Sequence, residues 1–239
     1  MSNIEPQITK LLNSKISLRS TDHKYVLDSN KKIKFISATE IVDKQFPKFN
    51  PIEVSRRLTT KVPKYQHLTA AQLREEWKKK RDYGSKVHKE IENSILYNTP
   101  PSINVSKKAI KWLKSVYKDY ELLTEVIIFD THLKVAGTID LVVVDKKNNS
   151  CILIDWKTTE KLTFNGFAGK TGITNATKDL QDSKYDHYCL QLSIYRFLLE
   201  ERWNINVDKS YIIHLTDNRV KDYTARYYEK NVKKIFKIR

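Results

Sequence analysis

The sequence predicts a mixed α/β (α+β) fold whose core runs helix, three antiparallel strands, helix, strand, behind a mostly helical N-terminal lobe. Two observations predict this order. Three strand-like runs follow one another closely between residues 125 and 157, and strongly helical segments stand on both sides of them. A further strand-like run lies at 210–216. With 239 residues, of which 40% are hydrophobic, the chain can bury a sizeable core.

The N-terminal region is predicted to contain a hairpin and several helices. Two short apolar alternations flank turn-forming residues in "KYVLDSNKKIKFIS" at 24–37, which predicts the hairpin. Capping-box patterns at Ser37 and Thr69 open a short helix and a long one, and the long helix runs to about Leu96. We therefore expect residues 1–68 to form a hairpin and helical lobe, packed on a core at 69–239 within one continuous domain.

The first core helix, at 106–123, is predicted to be amphipathic. Its apolar residues recur at helical spacing, while Lys107, Lys111 and Lys114 occupy other positions and form a basic outer face. The strand-like runs that follow are joined by tight turns, so we expect an antiparallel meander.

The chain carries a large positive charge. Its 44 basic residues exceed its 28 acidic residues by 16. Such a field attracts polyanions and makes nucleic acid the leading partner, with solvated lysine faces or an anionic membrane surface as alternatives. No segment has the length of a membrane span or the apolar core of a signal peptide. We expect an intracellular protein, without a membrane partner, in a compartment that contains DNA.

Charged residues interrupt two of the predicted strands. Leu153, Asp155 and Lys157 share one face of the third strand because side chains alternate along a strand. The turn before this strand can bring Asp140 opposite Asp155. Converging carboxylates need a cation, and Mg²⁺ or Mn²⁺ suits oxygen ligands. Lys157 could orient or deprotonate a metal-activated water or stabilise the transition state. A solvated surface pair of Asp155 and Lys157 is the alternative.

Polar residues on two helices extend this pattern. His88 and Glu92 lie one turn apart on the long helix, so His88 is a candidate metal ligand unless it only pairs with Glu92. Gln191 and Tyr195 have the same spacing inside the later apolar helix. Gln191 is a candidate contact of the lysine or of a DNA phosphate, with Tyr195 in support; a buried tyrosine bonded to the amide is the alternative.

Together these segments resemble the PD-(D/E)XK nuclease superfamily, particularly its RecB-like and Cas4-like exonuclease branch, which includes mitochondrial genome maintenance exonucleases. The resemblance is carried by four motifs in the order found in that family. They are "GSKVHKEIE" at 84–92, "GTIDLVVV" at 137–144, "ILIDWKT" at 152–158 and "QLSIY" at 191–195. The resemblance implies a restriction-endonuclease-like core with the element order given above.

The resemblance also implies roles for individual residues. It implies that Asp140 and Asp155 bind the divalent ion, that His88 is an additional ligand and that Lys157 is the catalytic lysine. The main-chain carbonyl of Trp156 would complete the metal shell.

Two further features are compared with the same family. Glu125 matches an acid often found before the first core strand of family members and is given a supporting role. Cas4-like members often carry four cysteines for an iron–sulfur cluster, whereas this chain has only Cys151 and Cys189. We therefore expect no iron–sulfur cluster.

DNA contacts are expected at basic and aromatic surface positions. The face formed by Lys107, Lys111 and Lys114, with "WKKKR" at 77–81 and the basic C-terminus, could bind phosphates. Phe164 and Phe167 could stack on bases. Solvation of the lysines and packing of the phenylalanines are the alternatives.

The function expected from these observations is a divalent-metal-dependent deoxyribonuclease. We expect an exonuclease on single-stranded or end-containing DNA in replication, recombination or repair, with a replication or recombination protein as a further partner. A structure- or sequence-specific endonuclease on the same fold and an inactive DNA-binding module are the alternatives. The inactive module is disfavoured because Asp140 and Asp155 would repel phosphate without serving catalysis.

Overall fold

The structure, a computed structural model, describes residues 4–19 and 21–238. It confirms the mixed α/β fold and the core order of helix, three antiparallel strands, helix and strand. In chain order the elements are α1 (Ile4–Leu12), β1 (Ile16–Arg19), β2 (Lys24–Leu27), β3 (Ile36–Ser37), α2 (Ala38–Asp43), α3 (Pro51–Lys61), α4 (Ala70–Tyr97), α5 (Asn104–Val116), β4 (Glu121–Asp130), β5 (Val135–Asp145), β6 (Ser150–Lys157), α6 (Lys184–Trp203), β7 (Val207–Leu215), β8 (Val220–Thr224) and α7 (Glu229–Phe236). Single 3₁₀ turns lie at Asp28–Asn30, Pro63–Tyr65 and Phe167–Gly169.

A six-stranded mixed sheet forms the centre of the fold. β5 pairs antiparallel with β4 and β6, which confirms the predicted meander. β6 pairs in parallel with β7, so the chain must cross over between them, and α6 makes this crossover. β8 extends the sheet antiparallel to β7, and β3 adds two residues in parallel to β5.

Helices cover both faces of the sheet. Val142 and Leu153 belong to a buried cluster with α1, α2 and α6, whereas Leu141, Ile154 and Trp156 belong to a cluster with α4 and α5. Adjacent residues of β6 thus face opposite helical layers, as strand alternation requires. This two-sided burial explains why β5 and β6 are almost continuously apolar.

The predicted hairpin at 24–37 is wrong. Lys24–Leu27 pairs antiparallel with the preceding strand β1, and residues 28–30 form a 3₁₀ turn. Ile36–Ser37 pairs in parallel with β5, about a hundred residues later. An apolar alternation predicts a strand but does not identify its partner, and "ISLR" at 16–19 offers a nearer one. The division of the chain at residue 68 remains a prediction.

The long helix α4 begins and ends as the sequence predicts. Thr69 Oγ1 accepts a hydrogen bond from Gln72 N at 3.2 Å, and Gln72 Oε1 accepts one from Thr69 N at 2.8 Å, which completes the capping box. Asn98 ends the helix in the left-handed conformation. Near the middle, a Cβ at Gly84 would lie 2.9 Å from Thr158 Oγ1, so α4 approaches the end of β6 closely. This approach positions the polar residues of α4 over the sheet.

Among residues 4–19 and 21–238, no helix combines the length and the apolar composition that crossing a membrane requires.

Candidate active site

The carboxyl end of β6 holds a buried ion pair. Asp155 is 3% exposed, and Lys157 Nζ lies 2.7 Å from Asp155 Oδ2 and 2.8 Å from Oδ1. Burial raises the pKa of Asp155 to about 6, and the nearby Asp140 carboxylate adds to this rise while Lys157 opposes it. Burial opposes the charge of Lys157, but Asp155 and Asp140 outweigh that effect and raise the lysine's pKa. Both members of the pair are therefore charged at neutral pH.

The predicted partner on the neighbouring strand lies beside this pair. Leu141 is the Cα partner of Ile154, so Asp140 and Asp155 occupy the next positions of the two strands. Asp140 Oδ2 accepts a hydrogen bond from the main-chain N of Trp156 at 2.8 Å. The meander thus brings Asp140 next to the end of β6, as its spacing in the sequence predicts.

His88 reaches the same place from α4. Its Nε2 lies 3.0 Å from the carbonyl oxygen of Trp156, and its Nδ1 lies 3.5 Å from Asp140 Oδ2. A carbonyl can only accept, so Nε2 donates this hydrogen bond and Nδ1 is the ring nitrogen on the side of Asp140. The Trp156 carbonyl, predicted to be a metal ligand, uses one lone pair for His88 and keeps the other. Glu92 does not hold the imidazole; it pairs with Lys89 at 2.8 Å.

Glu125 joins this group at an irregularity in the sheet. The pairing of β4 with β5 skips Glu125 and Asp140, and Glu125 has a φ of 51°. Ile139 and Val142 lie three residues apart yet pack in the same cluster beside α6, so the alternation of faces changes at Asp140. Such strained positions concentrate at functional sites because the surrounding fold must hold them.

His88, Glu125 and Asp140 form a group of candidate metal ligands. Each offers one ligand atom, and these atoms lie within 4.8 Å of one another. Desolvation, with repulsion from Asp140 and Glu92, raises the pKa of Glu125 to about 7. A divalent cation would relieve this repulsion, and two carboxylates with an imidazole suit such an ion. Asp155 lies outside the group of three and is held by Lys157.

The group opens into a cleft of about 860 Å³ between α4 and the end of β6. Lys157 reaches this cleft, whereas Asp155 is buried behind it. The walls carry basic, acidic and aromatic side chains: Tyr65, Trp77, Lys80, Arg81, His88, Lys89, Glu92, Glu125, Asp140, Lys157, Glu160, Lys184 and Tyr188. A cationic rim around clustered carboxylates suits an anionic substrate that also binds a metal ion.

The structure places Gln191 and Tyr195 behind the cleft. Gln191 Nε2 donates to the Tyr195 hydroxyl at 2.9 Å, which is the contact of the structural alternative. Tyr195 is 3% exposed and packs against Gly137 of β5. Neither residue lines the cleft, so direct contact of Gln191 with a phosphate remains a prediction.

Tyr188 is a cleft residue that the sequence reasoning missed. Its ring lies 4.6 Å from Lys157 Nζ, so it stacks beneath the ammonium group. It lies three residues before Gln191 on α6, and this helical spacing was an available signal. Lys184, one turn earlier, also lines the cleft and bonds to the Lys161 carbonyl at 3.2 Å.

The predicted DNA contacts lie in different places. Of "WKKKR" at 77–81, Trp77, Lys80 and Arg81 line the cleft. The exposed lysines of α5, namely Lys107, Lys111 and Lys114, do not. Phe164 packs 4.9 Å from Tyr185, and Phe167, 72% exposed, lies near Arg57; neither lines the cleft. Roles of these five residues in DNA binding remain predictions.

Metal binding is expected to strengthen as the pH rises through 7. Below that pH Glu125 must lose a proton before it can bind a cation, because its pKa is about 7. Mn²⁺ affinity, measured calorimetrically after chelator treatment, should be about tenfold weaker at pH 6 than at pH 8. Metal binding by His88 also requires an unprotonated ring nitrogen, so part of the pH dependence is common to the wild type and Glu125→Gln. The difference between the two proteins is the contribution of the Glu125 carboxylate. An equally steep dependence in Glu125→Gln would show that Glu125 is not a ligand.

A family model described as the PD-(D/E)XK nuclease superfamily matches residues 44–237, a range that includes every candidate site residue. Among matching solved structures, the crystal structure of SSO0001 shares 13% sequence identity, over 98% of this chain and 83% of that chain, with a TM-score of 0.39. A likeness of that size supports no inference about activity. No curated protein matches the sequence.

Proposed function

The chain belongs to the PD-(D/E)XK nuclease superfamily, and we propose that it is a Mg²⁺- or Mn²⁺-dependent exonuclease acting on single-stranded or end-containing DNA. Membership of this superfamily implies a metal-dependent nuclease. The observation that carries the proposal is the convergence of His88, Glu125 and Asp140 beside Lys157 in a basic cleft. Oxygen-rich sites of this kind favour hard divalent cations.

The proposed chemistry divides between the metal site and the lysine. A divalent ion held by His88, Glu125 and Asp140 would polarise a phosphodiester and lower the pKa of a bound water. Lys157, whose ammonium form is favoured by Asp155, would stabilise negative charge that develops on the phosphate. Because its pKa is raised, stabilisation of charge is a better role for Lys157 than removal of a proton. Asp155 orients the lysine from beneath and also contributes to the field at the metal site.

The preference for strand ends is supported by how the helices border the cleft. Glu160, just beyond β6, lies 3.1 Å from Lys80 of α4 and 3.6 Å from Lys64 of the 3₁₀ turn after α3. Tyr65 of the same turn lines the cleft. These contacts connect the N-terminal lobe with the segment after the catalytic strand. A strand end can enter such a bordered cleft more easily than a continuous duplex can.

Placement in the RecB-like and Cas4-like branch is also part of the proposal. The stripe of Gly84, His88 and Glu92 on α4 and the Gln191 and Tyr195 pair on α6 support it. Cys151 and Cys189 are buried free thiols in β6 and α6 and could not supply four cluster ligands, so we propose an enzyme without an iron–sulfur cluster.

DNA is the proposed partner, and its binding is favoured by the formal net charge of +16. A replication or recombination protein is a further proposed partner, since exonucleases act on ends that such proteins produce. The assay for the DNA interaction is salt-dependent affinity, because phosphate contacts release counterions.

Exonuclease action is expected to require a free end. Linear single-stranded DNA, made by opening a circular molecule at one site, should be degraded while the closed circle of identical sequence persists. Product length on a denaturing gel, with either end labelled, then gives the polarity. Cutting of circle and linear DNA at equal rates would refute the exonuclease proposal in favour of an endonuclease.

A further inference from the structure

A second concave surface adjoins the cleft on the N-terminal lobe. It is a groove of about 770 Å³ between α3 and α4. Its floor and walls are mainly apolar and its rim is mainly basic, with one acid: Phe49, Pro51, Val54, Leu58, Ala71, Arg74, Glu75, Trp77, Lys78 and Arg81. We call this surface the α3–α4 groove.

The α3–α4 groove is continuous with the candidate active site. Trp77 and Arg81 line both the groove and the cleft that holds Lys157. A strand with one phosphate in the cleft would therefore meet the groove next. No rearrangement of α4 is needed to connect the two surfaces.

The aromatic residues of the groove leave ring surface accessible. Phe49 is 61% exposed, and its ring lies 5.7 Å from that of Trp77 with the planes tilted by 57°. The two rings are not stacked on each other, so each keeps a face to which a planar group could bind. Exposed aromatic faces beside a basic track are the surfaces on which proteins stack unpaired bases.

The charges around the groove suit a phosphate backbone. Lys78 and Arg81 are exposed, and within residues 4–19 and 21–238 neither of them forms an ion pair. Arg74 is held in place by a 2.8 Å hydrogen bond from its guanidinium to Ser55 Oγ, which also ties α4 to α3. The basic residues outnumber the acid Glu75, so an anionic chain is a better occupant than a basic or purely apolar one.

We propose that the α3–α4 groove is a nucleobase-binding subsite, which stacks unpaired bases of a DNA strand whose scissile phosphate lies in the cleft. This subsite rests on the proposed function and makes it more specific, since it requires single-stranded DNA on that side of the cleft. Phe49 supplies the exposed stacking face, Trp77 separates the subsite from the metal site, and Lys78 and Arg81 bind the intervening phosphates.

The test compares binding of two fluorescein-labelled probes in EDTA, an oligothymidylate and an abasic strand of equal length. Wild-type protein should bind oligothymidylate more tightly than the abasic strand. Phe49→Ala should lose about 5- to 150-fold in affinity for oligothymidylate and little for the abasic strand. Phe49→Trp, which keeps an aromatic ring at this position, should retain the wild-type preference for oligothymidylate over the abasic strand. Tyr97→Ala, which removes a 71% exposed ring at the far end of α4, is the matched control and should bind as the wild type does.

The outcomes separate the subsite from the nuclease proposal. Because binding is measured in EDTA, the result does not depend on cleavage. Unchanged oligothymidylate affinity in Phe49→Ala, with an unchanged Tm, would overturn the subsite. It would favour a protein segment, and not a DNA base, as the occupant of the groove.

Discussion

Replacing Lys157 by methionine is expected to reduce DNA cleavage by about 10²- to 10⁴-fold while leaving DNA binding in EDTA within a fewfold of the wild type. Lys157 is the cation that reaches the cleft from β6, 2.7 Å from Asp155 and 4.6 Å from the ring of Tyr188. Methionine keeps most of the side chain's volume but removes the charge that would stabilise the reacting phosphate. Cleavage rates on end-labelled single-stranded DNA measure the effect.

The matched control for this variant is Lys44→Met. Lys44 pairs with Glu40 at 2.8 Å on the surface next to α2, outside the cleft. The Lys44→Met variant loses the same charge as Lys157→Met and should cleave DNA at the wild-type rate. Because the change at position 157 leaves Asp155 buried without its cation, the variant's folding must be checked by circular dichroism. A folded Lys157→Met protein that cleaves at more than about a tenth of the wild-type rate would contradict the catalytic assignment.

Gly137→Ala is expected to destabilise the fold by about 1–3 kcal/mol. A Cβ at this position in β5 would lie 2.3 Å from Tyr195 Cε1 and 3.1 Å from its Cζ. Tyr195 is 3% exposed and its hydroxyl accepts a hydrogen bond from Gln191, so the ring has little room to move. Urea unfolding of the two proteins gives the difference in the free energy of unfolding.

A second background identifies the cause of this effect. In Tyr195→Ala the ring that opposes the new methyl group is absent, so adding Gly137→Ala should cost much less than it does in the wild type. If the two changes are additive, contact with Tyr195 is not the reason that glycine occupies position 137. That result would leave β-strand propensity as the cause.

The sequence was sufficient to predict the elements that carry the chemistry, because their signals are local. Alternation placed Asp155 and Lys157 on one face of β6, and a short turn brought Asp140 to the neighbouring position of β5. One-turn spacing on α4 placed His88 where it reaches Asp140. Each of these inferences spans a few residues or one tight turn, for which geometry leaves few choices.

Other features depend on contacts that a single sequence does not specify. The sequence predicted that β2 pairs with the strand after it, whereas β2 pairs with β1 before it. Strand alternation carries no information about which strands pair. Glu125 lies beside His88 and Asp140 through an irregular φ of 51°, which regular strand geometry would not produce. The ring of Tyr188 under Lys157 follows from how α6 packs on the sheet. The α3–α4 groove likewise depends on how two helices of the N-terminal lobe lie against each other.

The central claim is that the cleft between α4 and β6 is a metal-dependent nuclease site. It is tested most directly by incubating the wild-type protein and Lys157→Met with end-labelled single-stranded and duplex DNA in Mg²⁺, Mn²⁺ or EDTA. We predict that the wild type degrades DNA in Mg²⁺ or Mn²⁺, that EDTA stops it, and that Lys157→Met cleaves at least about a hundredfold more slowly with either metal. Cleavage that persists in EDTA, or cleavage by Lys157→Met at more than about a tenth of the wild-type rate, would contradict the account. Tight DNA binding by a folded wild type that cuts nothing with either metal would contradict it as well.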